Sequence, residues 1–201
     1  FELSILVVAL TSTFGVFIGI IAGYFRGVID EILMRLIDVL LAFPSIILAL
    51  VIIGALGPGM INTIVAISLV GWLFYARVAR ATTLSIREKE YIEGARAMGC
   101  SDGYICLRYV LPNCLPPIIV LMTLNLGSVI LSIAALGYLG LGAQPPTPEW
   151  GSMLTEGREY LRDCPWLCVF PGLMIMLAVL AFNFIGDGLR DAIDPRQMVI
   201  K

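Results

Sequence analysis

Four long windows without a charged residue constrain the fold of this chain more than any other feature. They cover residues 3–25, 39–76, 109–148 and 164–186. A bilayer core about 30 Å thick requires about 20 consecutive apolar residues per helix. The first and last windows each fit one crossing, and the two middle windows exceed one. Because 59% of residues are hydrophobic and only 14% charged, the chain lies outside the soluble class. The sequence predicts an all-α polytopic membrane protein with about five transmembrane helices.

The five crossings follow from these windows and from the turn-forming residues between them. Gly57-Pro58-Gly59 separates the second crossing from the third. Pro44 interrupts the second crossing and predicts a kink, which is either a hinge or only structural. The expected spans are residues 4–24, 32–56, 61–79, 113–138 and 166–185.

Small residues recur along one side of the first span. They let two helices approach closely in lipid, either inside one subunit or between subunits, and we favour packing inside one subunit. The positions concerned are Thr11, Gly15, Gly19 and Gly23.

Residues 77–112, which we call the charged segment, stand apart from the apolar windows. We expect a polar helix over residues 87–97 that ends at Gly99, where a left-handed conformation is common. Ser101 or Asp102 would then cap a second short helix.

The second short helix of the charged segment is expected to run through Tyr109 and to be broken by Pro112 before the fourth span. The first short helix carries an apolar edge ringed by charge, which suits docking into a groove of a partner. This edge consists of Tyr91, Ile92, Ala95 and Met98.

The distribution of basic residues predicts the orientation. If the charged segment is cytoplasmic, the inside segments 26–35, 77–108 and 190–201 hold eleven of the thirteen Lys and Arg residues. Only Arg158 and Arg162 then lie outside, as the positive-inside rule requires. We therefore expect a cytoplasmic charged segment and a cytoplasmic C-terminus. The first span then enters from outside, so one further span is expected upstream.

The loop over residues 139–165 is expected on the outer face. Thr147 could cap a short helix that begins at Pro148 and runs to about residue 161. Glu149 would then lie near the positive end of the helix dipole.

Three residues are candidates for a gate or hinge. Pro44 lies inside the second span, and Gln144 and Trp150 lie in the outer loop. The loop either forms a gate or receptor-docking surface, or it is only a rigid turn.

Several classes of function require residues or motifs that this sequence does not contain. There is no histidine, and the five cysteines form no CxxC pair, so we expect no metal site. Histidine-dependent serine proteolysis is likewise excluded. No GxxxxGK[ST] motif is present, so the chain is not expected to bind ATP. Neither a cofactor nor a nucleic-acid partner is expected. The spans hold no relay of acids of the kind that proton-driven carriers need.

The charged segment resembles the EAA loop of ATP-binding-cassette importer permeases. Glu93-Gly94-Ala95, Gly99 and Leu111-Pro112 fall at the spacing of that loop, which would span residues 87–112. Gly94 replaces an alanine of the family pattern, and Tyr109 stands where isoleucine is usual.

Three longer stretches extend the resemblance to almost the whole chain. AGYFRGVIDEILMRLIDVLLAFPS, LGLGAQPPTPEWGSML and FNFIGDGLRDAIDPR resemble the C-type permease subunit of dipeptide, oligopeptide and nickel importers. The resemblance implies one type I transmembrane domain over residues 1–201, in the inner membrane of a bacterium or archaeon, with a first helix missing upstream.

The resemblance also implies partners and roles. A second permease, two cytoplasmic ATPase subunits and an extracytoplasmic binding protein complete such an importer. Glu93 would contact the ATPase, Ala95 and Met98 would pack in its groove, and Gly99 would make the turn. Leu111 and Pro112 would join this device to the fourth span. We favour peptides as the substrate, with nickel or a chelated metal as the alternative and a secondary carrier as a rival of another class.

Overall fold

The computed structural model describes residues 1–193, and within this range it contains helices and no strand. Arg196 and Lys201, which contribute to the predicted cytoplasmic tail, lie outside the described residues. A π-helical turn, Cys106–Val110, and a 3-10 turn, Arg158–Tyr160, accompany the α-helices. The α-helices are α1 Glu2–Phe25, α2 Gly27–Leu41, α3 Ser45–Leu56, α4 Met60–Arg87, α5 Glu90–Ala97, α6 Asp102–Ile105, α7 Leu111–Tyr138, α8 Trp150–Gly157 and α9 Trp166–Ile193.

Among residues 1–193, four helical stretches are long and apolar enough to cross a membrane, and α2 with α3 makes up to five. The prediction of about five membrane-spanning elements is confirmed in this sense. The second element, however, is not one kinked helix. The interruption lies at Pro44 as predicted, but it is a break between two helices that meet at 89° rather than a kink. Proline disfavours a helical conformation for Phe43, and the carbonyl of Pro44 accepts from Ile47 and Leu48 to start a new helix.

The predicted glycine stripe packs α1 directly onto α4. A Cβ atom placed on Gly15 would lie 2.5 Å from the carbonyl oxygen of Trp72, and one on Gly23 would lie 2.8 Å from Cβ of Thr83. A Cβ on Gly19 would clash with the backbone of Ala76. The preference for packing inside one subunit is therefore confirmed, because the two backbones touch along this stripe.

Buried side chains form clusters at both ends of the helix bundle. We call the end that carries α5 and α6 the charged end, and the opposite end, with α8, the loop end. Val16, Ile20 and Tyr24 belong to the cluster at the charged end. Val7 and Leu136 belong to the cluster at the loop end. Helix α9 packs on α7 and is otherwise largely exposed.

Helix α8 begins differently from the expectation. Its N-terminal cap is Glu149, not Thr147, and the first helical residue is Trp150 rather than Pro148. The two carboxylate oxygens of Glu149 accept hydrogen bonds of 2.9 Å each from the backbone N–H groups of Gly151 and Ser152. A carboxylate at this position is favourable because the helix dipole is positive there.

Pro112 does not break the helix before the fourth span, so that prediction was also wrong. The chain is helical without interruption from α6 through the π-helical turn into α7. In the π-helical turn, the N–H of Leu111 donates to the carbonyl of Cys106, five residues earlier. The wider turn accommodates Pro112, which has no N–H and would crowd the carbonyl four residues before it in a regular α-helix.

Candidate functional site

The charged segment begins inside a long helix rather than in a loop. Helix α4 continues to Arg87, beyond the predicted end of the third span at residue 79. Lys89 then adopts an extended conformation and precedes α5, so the short helix begins at Glu90 and not at residue 87. The charged segment therefore consists of the last turns of α4, the separate helix α5, and α6 leading into α7.

Gly99 ends α5 as predicted. Its φ is +84°, the left-handed conformation that glycine adopts without strain. The N–H of Gly99 donates to the carbonyl of Arg96 at 2.9 Å, and the N–H of Cys100 donates to that of Ala95 at 3.1 Å. This pair of bonds is a Schellman motif, and it reverses the chain within three residues. Ser101 then caps α6 by accepting from the N–H of Tyr104 at 3.4 Å.

One face of the charged segment is buried against the bundle. Ile92 and Ile105 are fully buried, and Ala95 is 1% exposed. All three belong to the cluster at the charged end, together with residues of α1 and α4 such as Ile20 and Ile86. The expectation that Ile92 and Ala95 present an exposed docking edge, with Ala95 in a groove of a partner, is therefore corrected. They attach α5 and α6 to this chain's own core.

The opposite face of α5 is exposed. Met98 is 77% exposed and Tyr91 46% exposed, and Glu93 and Gly94 are exposed as well. The side chain of Glu93 makes no hydrogen bond or ion pair with any other described residue. A Cβ atom on Gly94 would meet nothing within 4 Å. Apart from a ring contact between Tyr91 and Tyr109, this outer face is open to a partner within the described part of the chain.

A hydrogen bond joins the charged segment to the end of α1. The hydroxyl of Tyr24 donates to Oδ1 of Asp102 at 2.6 Å. Nη1 of Arg87 donates to the carbonyl oxygen of Tyr24 at 2.5 Å, and the guanidinium of Arg96 lies 5.0 Å from the centre of the Tyr24 ring. Tyr24 therefore connects α1 with α4, α5 and α6. Tyr24 was not among the residues predicted from sequence. It is the last polar residue of the first charge-free window, and this position is the signal that could have identified it.

Ion pairs connect α4 with the elements that precede it. Arg80 makes two bonds to the carboxylate of Asp30 on α2, at 2.5 and 2.7 Å. Arg77 contacts Asp38 at 2.5 Å, with both side chains more than half exposed. The two ion pairs link positions near both ends of α2 to α4.

The remaining predicted residues lie in three separate places. Leu111 packs against the core at the charged end, and Pro112 is exposed in the first turn of α7. Gln144 donates to the carbonyls of two loop glycines, and the Trp150 ring contacts Phe1 at a centroid distance of 5.3 Å. Pro44 lies at the break between α2 and α3. The structure therefore does not bring the three gate candidates together.

Comparison with known proteins decides the family. The model of the binding-protein-dependent transport system inner membrane component matches residues 15–199. The chain belongs to this family of permeases.

Curated relatives of this permease cover most of its length. It is 50% identical over 184 residues to the dipeptide transport system permease protein DppC of Alkalihalophilus pseudofirmus, covering 92% of the chain and 60% of the relative. It is 46% identical over 182 residues to the glutathione transport system permease protein GsiD of Pectobacterium atrosepticum. This match covers 90% of the chain and 60% of the relative. The chain thus spans about 60% of the length of these relatives.

The fold of the permease is also found among solved structures. An inward-facing conformation of the MetNI methionine ABC transporter matches with a TM-score of 0.74 and 22% identity. The match covers 96% of this chain and 92% of the other. This similarity shows the shared fold, a type I importer transmembrane domain.

Proposed function

We propose that this permease is the membrane-spanning subunit of an ATP-driven importer of short peptides, and that the outer face of α5 receives a separate ATPase subunit. The observation that carries the proposal is the two-sided construction of the charged segment. One face is buried against α1 and α4, while Glu93 and Met98 on the other face are exposed. An exposed apolar residue beside a charge suits a groove of a partner protein.

The construction also gives a route for mechanical coupling. A force applied to Met98 or Glu93 acts on a helix whose other face is fixed by Ile92 and Ala95. The Tyr24–Asp102 hydrogen bond would transmit this force to α1. The uninterrupted helix that begins at α6 would transmit it to α7. Motion of an ATPase would therefore reach two membrane-spanning helices through a part-buried hydrogen bond and a continuous helix. Leu111, half-buried at the start of α7, joins the same core.

Peptides are the proposed substrates because of the relatives. One relative is named for dipeptide transport and another for glutathione transport. Nickel is not favoured by these relatives. The described residues also contain no group of three or more His, Cys, Asp or Glu side chains placed to hold a metal ion.

The proposed assembly contains a second permease, two ATPase subunits and an extracytoplasmic binding protein. In this arrangement the charged end faces the cytoplasm and the loop end faces the binding protein. The loop over residues 139–165, with Gln144 and Trp150, would form part of the surface that the binding protein meets. The basic residues at the charged end support this orientation.

A double substitution at Glu93 and Met98 tests whether the outer face of α5 receives the ATPase. In the assembled transporter, we expect Glu93→Ala together with Met98→Ala to reduce copurification of the ATPase. Peptide-stimulated ATP hydrolysis should fall at least several-fold, because both exposed contacts are removed. The measurements are pull-down yield and hydrolysis rate with the peptide-loaded binding protein.

The matched control is Glu31→Gln, an exposed acid on α2 outside the charged segment, which should leave both readouts unchanged. Normal ATPase docking and normal stimulation in the Glu93 and Met98 variant would contradict the assignment. A secondary carrier would instead transport peptides in vesicles that contain no ATPase.

A further inference from the structure

A cavity with a largely apolar lining and several polar side chains lies between the helices, away from the charged segment. Its volume is about 150 Å³, and α1, α3, α4 and α7 all contribute to its wall. Tyr75 and Asn125 lie on two of the helices that are long and apolar enough to cross a membrane, so the cavity lies within the membrane-spanning region. The polar residues of the lining are Thr11, Ser45, Tyr75, Asn125, Ser128 and Ser132.

The hydroxyl of Tyr75 lies beside the side chains of Thr11 and Asn125 and forms no hydrogen bond of regular geometry with them. Tyr75 is 1% exposed, and its hydroxyl oxygen is buried and makes no hydrogen bond within residues 1–193. Buried hydroxyl groups are nearly always paired, because leaving one unpaired is unfavourable. The cavity that Tyr75 lines is several times larger than the roughly 30 Å³ that one water molecule occupies in the liquid. The cavity can therefore hold a guest beside Tyr75.

The cavity opens towards a face of the subunit that is unsuited to lipid. Ser45 and Ser128 are exposed at its rim, and Asn125 is partly exposed. Within the membrane-spanning region, polar side chains face a protein interior or a water-filled space rather than hydrocarbon. This face is therefore directed at the second permease and the aqueous path between the two subunits.

We propose that Tyr75 and Asn125 form part of the wall of the translocation path and offer hydrogen bonds to the amide and carbonyl groups of a passing peptide. This inference rests on the proposed function and names the substrate-facing residues within it. The lining contains hydroxyl and amide groups but no Asp, Glu, Lys, Arg or Cys. Neutral groups bind the peptide backbone without holding a charge strongly, which suits passage, and they offer no ligands for a free metal cation.

Removing one hydroxyl tests the proposal. In the full-length permease within the assembled transporter, we expect Tyr75→Phe to lower uptake of radiolabelled dialanine roughly two- to tenfold, the value of one hydrogen bond. Asn125→Leu should lower uptake by a similar factor. Complex assembly should stay normal, because Tyr75→Phe removes only an unpaired buried group.

Ser68→Ala is the matched control for Tyr75→Phe. The hydroxyl of Ser68 is also buried and unpaired, but it does not line the cavity. We expect uptake by this variant to equal that of the unmodified transporter. Unchanged uptake in both Tyr75→Phe and Asn125→Leu would overturn the proposal, while leaving the proposed function intact.

Thiol labelling tests the same wall without reference to any substrate. We expect Ser128→Cys to react with a charged, membrane-impermeant thiol reagent above the background of the native cysteines. Leu180→Cys, an exposed position in the middle of α9, should not. Equal, low labelling of both variants with and without ATP would overturn the inference even if peptide uptake is normal. Labelling at residue 128 in a complex that imports no peptide would overturn the proposed function instead.

Discussion

At the residue scale, glycines that look alike in the sequence occupy three different environments. Gly19 lies against the backbone of Ala76, where a side chain has no room. Gly94 faces open space in a helical conformation. Gly99 has open space but a φ of +84°. The consequences of substitution therefore differ at each position.

Alanine substitutions at Gly94 and Gly99 should have opposite effects. We expect Gly94→Ala to stabilise α5 by up to about 1 kcal/mol, because alanine favours helix and meets no neighbour. Gly99→Ala should destabilise the segment by about 1–2 kcal/mol, because an L-residue is strained in the left-handed conformation. Hydrogen exchange at the amides of α5 measures both effects. Faster exchange in the Gly94→Ala protein would contradict the open environment of that residue.

A large side chain in the glycine stripe should separate α1 from α4. We expect Gly19→Leu to lower stability by about 1–3 kcal/mol or more, because the side chain must displace the backbone of α4. Gly54→Leu is the control, since a Cβ there meets nothing within 4 Å. Thermal unfolding in detergent compares the two variants. Equal melting temperatures would show that the stripe is not a close contact.

At the scale of elements, the sequence predicts which segments are helical better than where they end. The apolar windows identify the membrane-spanning elements, because bilayer thickness limits their length. Pro44 and Pro112 show why their limits are harder to predict. The first separates two helices at 89°, whereas the second lies in an uninterrupted helix because a π-helical turn precedes it. Whether a proline ends a helix or lies within one depends on the surrounding packing, which the local sequence does not reveal.

The Tyr24–Asp102 bond should couple α1 to α6 more strongly than the surface ion pair beside it couples its own partners. A double-mutant cycle with Tyr24→Phe and Asp102→Ala should give a coupling free energy of about 1 kcal/mol. The same cycle on Arg26 and Glu88, whose side chains are 44% and 63% exposed, should give less than about 0.5 kcal/mol, because solvent screens the pair. Unfolding measured in detergent gives both values. A larger value for the exposed pair would contradict this ranking.

At the scale of the whole molecule, the candidate site was only partly accessible from sequence. The turn at Gly99 follows from local chemistry and was predicted. The burial of Ala95 depends on which face of α5 meets α1 and α4, and a helix with one apolar edge does not reveal whether that edge meets its own chain or a partner. The cavity at Tyr75 was missed. Polar residues at similar depth in three separate windows, including Thr11 and Asn125, were the available signal.

The contact of α1 with α4 limits how this subunit can change shape. Where carbonyl oxygens of one helix lie against the Cα atoms of the other, neither sliding nor rolling is available without steric overlap. We therefore expect rearrangements between conformations to occur outside this contact, for example at the break beside Pro44, where two helices meet at 89°.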